Sequence, residues 1–334
     1  MQIKPKLISP GALVCAAAAL LPYSAQAQFS VSAGADYSTG KFGGSTATEV
    51  WNVPLVGRWD SGPLTLKLTV PWIRITNAGG VIPVLGNGGG EHGGVGDDDR
   101  GGGGGSGSGR GSTSVSGSGS SGTGSGSGSG GTVGQFGCAF DNRKGASKVE
   151  NNGPCAGFTT GVGGATLAPL SRRTESGLGD AIVAATYNFY DNKSSGIALD
   201  VTGRVKLPTA SEQRGLGSGK TDFALQLDAN RDFQRTSVFG TVGYKWLGRP
   251  EGIDLKNVLY GSLGASYKVT DAGSLGAAYD FASAALAGVS RPSELSVFFT
   301  QKFSRTAKLN VYVLKGLSNG SPDWGGGVKY TYLF

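Results

Sequence analysis

The chain is short of imidazole, thiol and charge. Its 334 residues hold one His, one Met and three Cys, and only 16% of them are charged. The single His is His92, within a run of glycines. A hydrolase that activates Ser or water with His needs that base held beside its partner. A Gly-rich run cannot supply such geometry, so the chain is expected not to be an enzyme. No cluster of metal ligands occurs, and neither a metal nor a cofactor is expected. After residue 30 there is no run of about 20 apolar residues, the length a membrane helix needs. That excludes a helical membrane protein. The net charge is +7 and scattered, without the basic stripe that nucleic-acid binding requires.

What is present begins with an export signal. Lys4 and Lys6 precede an apolar run from Leu7 to Leu21, and Ala25-Gln26-Ala27 forms a small-residue cleavage site. Residues 1–27 are therefore expected to be a signal peptide, and 28–334 the mature chain. Val14 precedes Cys15 where a lipoprotein signal would carry a small residue, which argues against lipidation. Loss of Lys4 and Lys6 lowers the net charge to +5.

Glycine is abundant, at 61 residues. Residues 86–134 alone hold 24 Gly and 11 Ser among 49. Such a stretch buries too little apolar surface to offset the entropy of ordering it. It is expected to be a disordered part of an insertion spanning 75–177. Cys138 and Cys155 lie in the same insertion. An exported chain permits oxidation, so a disulfide between them is expected, two unbridged thiols being the alternative.

The remainder alternates. Ile197, Leu199, Val201, Val205 and Leu207 point one way, and Ala198, Asp200, Thr202, Arg204 and Lys206 the other. Similar patterns predict strands near 29–38, 47–59, 63–74, 178–190, 195–207, 218–230, 234–247, 256–269, 273–283, 292–303, 307–316 and 324–334. Most are longer than the five or six residues usual in soluble proteins, and they match the nine to eleven of a tilted membrane strand. Short turns alternate with longer connections, as periplasmic turns alternate with outer loops in bacterial barrels. The expected fold is an all-β, antiparallel up-and-down transmembrane barrel of about twelve strands. It would lie in a Gram-negative outer membrane with both termini periplasmic.

Hydrocarbon cannot satisfy open sheet edges, so the sheet must close with its apolar face outward. Trp51, Trp59, Trp72, Tyr187, Phe189, Tyr244, Trp246, Tyr267, Tyr279 and Phe281 are placed to meet the two interfaces with lipid and lipopolysaccharide. The lumen-lining candidates are Arg58, Lys67, Asp180, Asp200, Arg204, Lys206, Asp222, Asp228, Lys245, Lys268, Asp280, Lys302 and Lys329, with Asp36 and Lys308 on the same face. Their signs are mixed. That suits either a watered passage or a lumen sealed by ion pairs. At the end of the chain Tyr330, Tyr332 and Phe334 share one face with Val328. A terminal aromatic on an alternating strand resembles the signal that outer-membrane barrels present to their insertion machinery.

Two motifs are set aside. Gly215-Leu216-Gly217-Ser218-Gly219-Lys220-Thr221 has the glycines and lysine of a phosphate loop, but the glycine required five places before Gly219 is Arg214, and a strand rather than a helix follows. Gly93-Gly94-Val95-Gly96-Asp97-Asp98 matches the core of a calcium nonapeptide, but there is one copy and such sites need stacked repeats.

Three stretches carry a family resemblance: Gly177-Leu178-Gly179-Asp180, Leu207-Pro208-Thr209, and Gly215 through Asp222. Over 177–334 the chain resembles the outer-membrane family described as the MetA-pathway of phenol degradation family. The resemblance implies a barrel transporter or porin-like protein with a loose link to uptake of aromatic compounds. The Gly/Ser-rich loop departs from the usual pattern. The expected function is thus a channel for small solutes, hydrophobic or aromatic ones included. The alternative is a structural or adhesive barrel with a closed lumen that displays its Gly-rich loop.

Overall fold

The computed structural model describes residues 27–42, 47–77, 173–250, 255–286 and 290–334. The expected signal peptide, the low-complexity segment, His92, Cys138 and Cys155 lie outside these residues.

Strand follows strand, and each hydrogen-bonds to its predecessor except the fifth, which pairs with the third. The order is β1 (Gln28–Gly40), β2 (Thr48–Ser61), β3 (Leu64–Asn77), β4 (Arg173–Leu178), β5 (Ala181–Asn192), β6 (Ile197–Leu207), β7 (Asp222–Phe233), β8 (Thr236–Trp246), β9 (Val258–Lys268), β10 (Gly273–Ala282), β11 (Ser293–Lys302), β12 (Ala307–Gly316) and β13 (Trp324–Leu333). All neighbouring strands are antiparallel. The sheet closes where β1 pairs with β13, from Ser30 opposite Leu333 to Thr39 opposite Trp324. Closure pairs the first strand with the last, as hydrocarbon demands of the wall, and among the described residues only the short β4 keeps one side outside the ladder.

Thirteen segments make twelve staves, because β4 and β5 are two halves of one. Both pair with β3: β4 with Trp72–Asn77, and β5 with Leu64–Thr69. Between them Gly179 and Asp180 leave the ladder. The Gly179 N–H donates to the Pro71 carbonyl at 2.8 Å, so the break stays satisfied. A side chain at Gly179 would collide with Pro71 and Ile73, which is why glycine stands there. The wall thus runs further into the 75–177 interval than the alternation predicts, since β3 reaches Asn77 and β4 begins at Arg173. The strand expected from 218 begins at Asp222. Gly215 and Gly219 adopt left-handed backbone (φ 70° and 64°), which an extended strand does not admit.

The two faces differ in kind. Along β7, Asp222, Ala224, Gln226, Asp228 and Asn230 are buried, while Phe223, Leu225, Leu227 and Arg231 are exposed. Leu225, Leu227, Val242, Leu263 and Val313 all lie half bare on the outer surface. A water-soluble sandwich would do the reverse and bury these groups in a core. Aromatic rings gather near both ends of the outer face. At the end of the long connections Tyr37 sits between Trp51 and Trp324, with ring centroids 5.0 and 5.3 Å away, and Tyr244 meets Trp246 at 5.0 Å. At the opposite end Phe29 meets Phe334 at 5.8 Å. Ten residues tilted by about 40° rise roughly 26 Å, close to the apolar band of an outer-membrane barrel.

Candidate functional site

Among the described residues, charged side chains converge in the interior. Because antiparallel partners share a face, the register reads off which residues form rows across the inner wall. One row runs Arg58, Lys67, Ala184, Arg204, Ala224, Lys245 across β2, β3, β5, β6, β7 and β8. A second runs Asp200, Asp228, Thr241, Ser262, Asp280, Glu294 from β6 to β11. Within these two rows the charges are of one sign each, whereas nearer the long-connection end Lys206 stands directly opposite Asp222.

Several of these charges are held by donors or counter-ions. The Arg58 guanidinium donates to both Asp60 oxygens, at 2.8 to 3.0 Å. Asp200 accepts from the Asn188 amide at 2.7 Å. Asp228 accepts from Gln226 at 2.7 and 2.8 Å and from the Thr241 hydroxyl at 2.7 Å. Gln226 in turn accepts from the Tyr260 hydroxyl at 3.0 Å, and the Lys245 ammonium lies 4.7 Å from the Tyr260 ring centre. Asp36 accepts from the Tyr312 hydroxyl at 2.8 Å and from Asn52 at 3.2 Å. Lys67, Asp200, Asp222, Asp228, Lys245 and Asp280 are all buried; Arg204 and Lys329 are half-buried. Lys268, Lys302 and Lys308 sit half-buried at the short-turn end, with Lys302 directly opposite Lys308.

Lys206 is the densest node. Its ammonium lies 2.9 Å from Asp180 and 2.9 Å from Asp222, and donates to the Ser218 hydroxyl at 2.8 Å. Asp180 also accepts the Ala210 N–H at 2.9 Å, and Asp222 the Gly248 N–H at 2.8 Å. Two of the three stretches that carry the family resemblance thus meet around one cation, and the third, Leu207-Pro208-Thr209, directly follows it in the chain. Gly217 belongs there because a Cβ would press on the Asp180 carboxylate.

An apolar patch on the inner wall escaped the sequence reading, which expected polar inward rows. Phe239, Ala278, Phe298, Tyr312 and Leu314 form a buried cluster within the barrel, with Phe239 and Phe298 centred 6.3 Å apart. The signal is visible afterwards. Phe239 stands directly opposite Gly264, Phe298 opposite Gly276, Tyr260 opposite Gly243, and Tyr312 opposite Gly327. Each glycine leaves the space its facing ring fills. The inner wall thus carries an aromatic bank over β8 to β12, with Asp280 and Glu294 of the negative row on the same strands.

Among the described residues no group of three or more His, Cys, Asp or Glu could hold a metal ion.

A family model described as "Putative MetA-pathway of phenol degradation" matches residues 97–334. No curated relative matches by sequence. Among solved structures, the COG4313 outer membrane channel from Pseudomonas putida F1 superposes with a TM-score of 0.55 at 12% identity, covering 94% of this chain and 99% of that one. The KdgM porin gives 0.44 at 8%, over 91% and 98% of the two chains. The P. putida toluene transporter TodX gives 0.37 at 10%, over 94% and 91%. At such identities the first likeness is one of fold, and the other two are too distant in shape to carry an argument.

Proposed function

The chain belongs to the MetA-pathway of phenol degradation family, and from that premise we propose that it is an outer-membrane channel for small solutes, hydrophobic or aromatic compounds among them. The observation that carries this reading is the pairing of a closed wall, bare and apolar outside, with an interior that holds both sorted charge rows and a bank of inward rings. An inner surface of Phe239, Phe298 and Tyr312 suits a flat apolar body, and the polar rows suit the water or polar substituent that travels with it. The same reading places Gln28 and Phe334 on the periplasmic side, beside the short turns, and makes the connection between β3 and β4 an outer loop. It places residues 1–27 in a cleaved signal, and gives Tyr330, Tyr332 and Phe334 to the insertion machinery.

The density of the interior favours a second reading. Lys245, Tyr260, Phe298 and Asp200 are no more than 1% exposed, and such packing suits a sealed barrel that serves as a scaffold. Planar-bilayer recording on the purified, detergent-folded protein separates the two. Discrete current steps, with flux of small aromatic solutes into loaded vesicles, are expected for the channel. A folded barrel that gives neither current nor flux would leave the scaffold reading standing.

A further inference from the structure

The connection from β6 to β7 folds back over the inner wall of β4, β3 and β2. It runs from Pro208 to Thr221 around a single 3-10 turn at Glu212–Arg214. At its tip Leu216 is 1% exposed and packs against Val50, Ile73 and Ile75. Those three belong to the inward rows of β2 and β3, since the residues between them, Trp51 and Trp72, face outward. The loop therefore leaves β6, passes over β4, and seats an apolar knob on the inner wall two and three staves away.

Three further contacts fasten it. Lys206, at the foot of the loop, binds Asp180 on one side and Asp222 on the other, and reaches Ser218 within the loop. The Thr209 hydroxyl donates to the Gly179 carbonyl at 3.1 Å and accepts the Ala181 N–H at 2.8 Å, which ties the loop to the break between β4 and β5. The Arg214 guanidinium donates to the Ser176 carbonyl at 3.1 Å, on the edge of β4 that lies beyond the end of β6. Gly215 and Gly219, both left-handed, flank the knob. Glycines in a loop can absorb the φ/ψ change that a hinge needs.

The geometry points to a gate: the segment 208–221 is a hinged strap, with Leu216 its plug and Lys206 its latch, that closes the long-connection end of the barrel in the resting state. The inference rests on the channel reading, and its test separates the two. The strap is apolar at its tip and ionic at its root. Expelling Leu216 therefore opens the mouth while the root stays anchored.

Bilayer recording on three proteins decides it. A Cβ at Gly177 would sit 2.9 Å from the Leu216 side chain, so a Gly177→Cys, Leu216→Cys pair can cross-link strap to wall. It is made with Cys138 and Cys155 replaced by Ser. The second variant is Leu216→Asp, whose carboxylate cannot rest in the apolar socket. Heat-modifiable gel migration confirms that each has folded. The expected result is a severalfold rise in open probability for Leu216→Asp, and a current from the cysteine pair that falls at least tenfold on oxidation and returns on reduction. A silent parent with a conducting Leu216→Asp supports the gate as well. Should the parent conduct while neither variant alters its current, the gate is overturned and the channel survives. Should the parent and Leu216→Asp both be silent, channel and gate fall together.

Discussion

Phe298 on β11 and Gly276 on β10 stand directly opposite one another on the inner wall, and the ring occupies the space that a Gly276 side chain would need. The pair keeps a buried aromatic flat against the wall. Phe298 is then held by Phe239 and Tyr312 on either side, in one continuous apolar bank.

Gly276→Val should therefore push the ring off the wall. Overpacking of this kind costs about 1–3 kcal/mol, and the urea midpoint for unfolding from lipid vesicles should fall accordingly. Gly203 is the control. It has nothing within 4 Å of a Cβ position, so Gly203→Ala should stay within about 0.5 kcal/mol of the parent. Equal losses at both sites would mean that glycine serves the wall generally and not the inward rings.

The wall was legible in the sequence because period-2 alternation reports one bit per residue, and a barrel immersed in lipid writes that bit on every stave. The strand expected over 307–316 is the one found. The break at Gly179-Asp180 was not legible, since a one-residue bulge leaves the alternation on both sides intact. Nor were the inward rings. Phe298 occupies a polar row, and only the register, which pairs it with Gly276, explains how it fits. The partners of Lys206 are half visible: the alternation turns Asp180 and Asp222 inward, and both lie in the stretches carrying the family resemblance, but nothing local says that they meet.

Lys206→Met tests that node. The two carboxylates 2.9 Å from the ammonium are as buried as it is, and would be left without their cation. Removing one member of a buried ionic group costs about 3–5 kcal/mol, mostly because the others remain. Replacing Asp180 and Asp222 by Asn in the same chain should recover most of the loss. A Lys206→Met single variant as stable as the parent would show that the node carries no such strain.

The outer face gives a sharper test of the medium that surrounds it. Leu227 lies at the centre of β7 and is 51% exposed. In water, an exposed Leu→Arg change moves stability by no more than about 0.5 kcal/mol. At the midplane of a bilayer, arginine on a barrel wall costs about 2–4 kcal/mol. Leu227→Arg, with Leu227→Ala as reference, should show the larger loss in vesicle refolding titrations. A loss near zero would remove hydrocarbon from this face.

Phe334 separates assembly from stability. The residue is 71% exposed, its ring tilted against Phe29 at 5.8 Å and edge-on to Tyr332 at 5.1 Å, and its N–H donates to the Phe29 carbonyl at 2.9 Å. The hydrogen bond belongs to the backbone and survives truncation, so Phe334→Ala removes only two edge contacts of about 0.5–1.5 kcal/mol each. Unassisted refolding into vesicles should therefore change little. In cells the insertion machinery would meet a strand whose outward row of Val328, Tyr330 and Tyr332 no longer ends in a ring, and the assembled fraction should drop severalfold. Phe334→Tyr should restore it. If assembly in cells tracks the small loss of stability and nothing more, the terminal ring is a wall residue like its neighbours and carries no message.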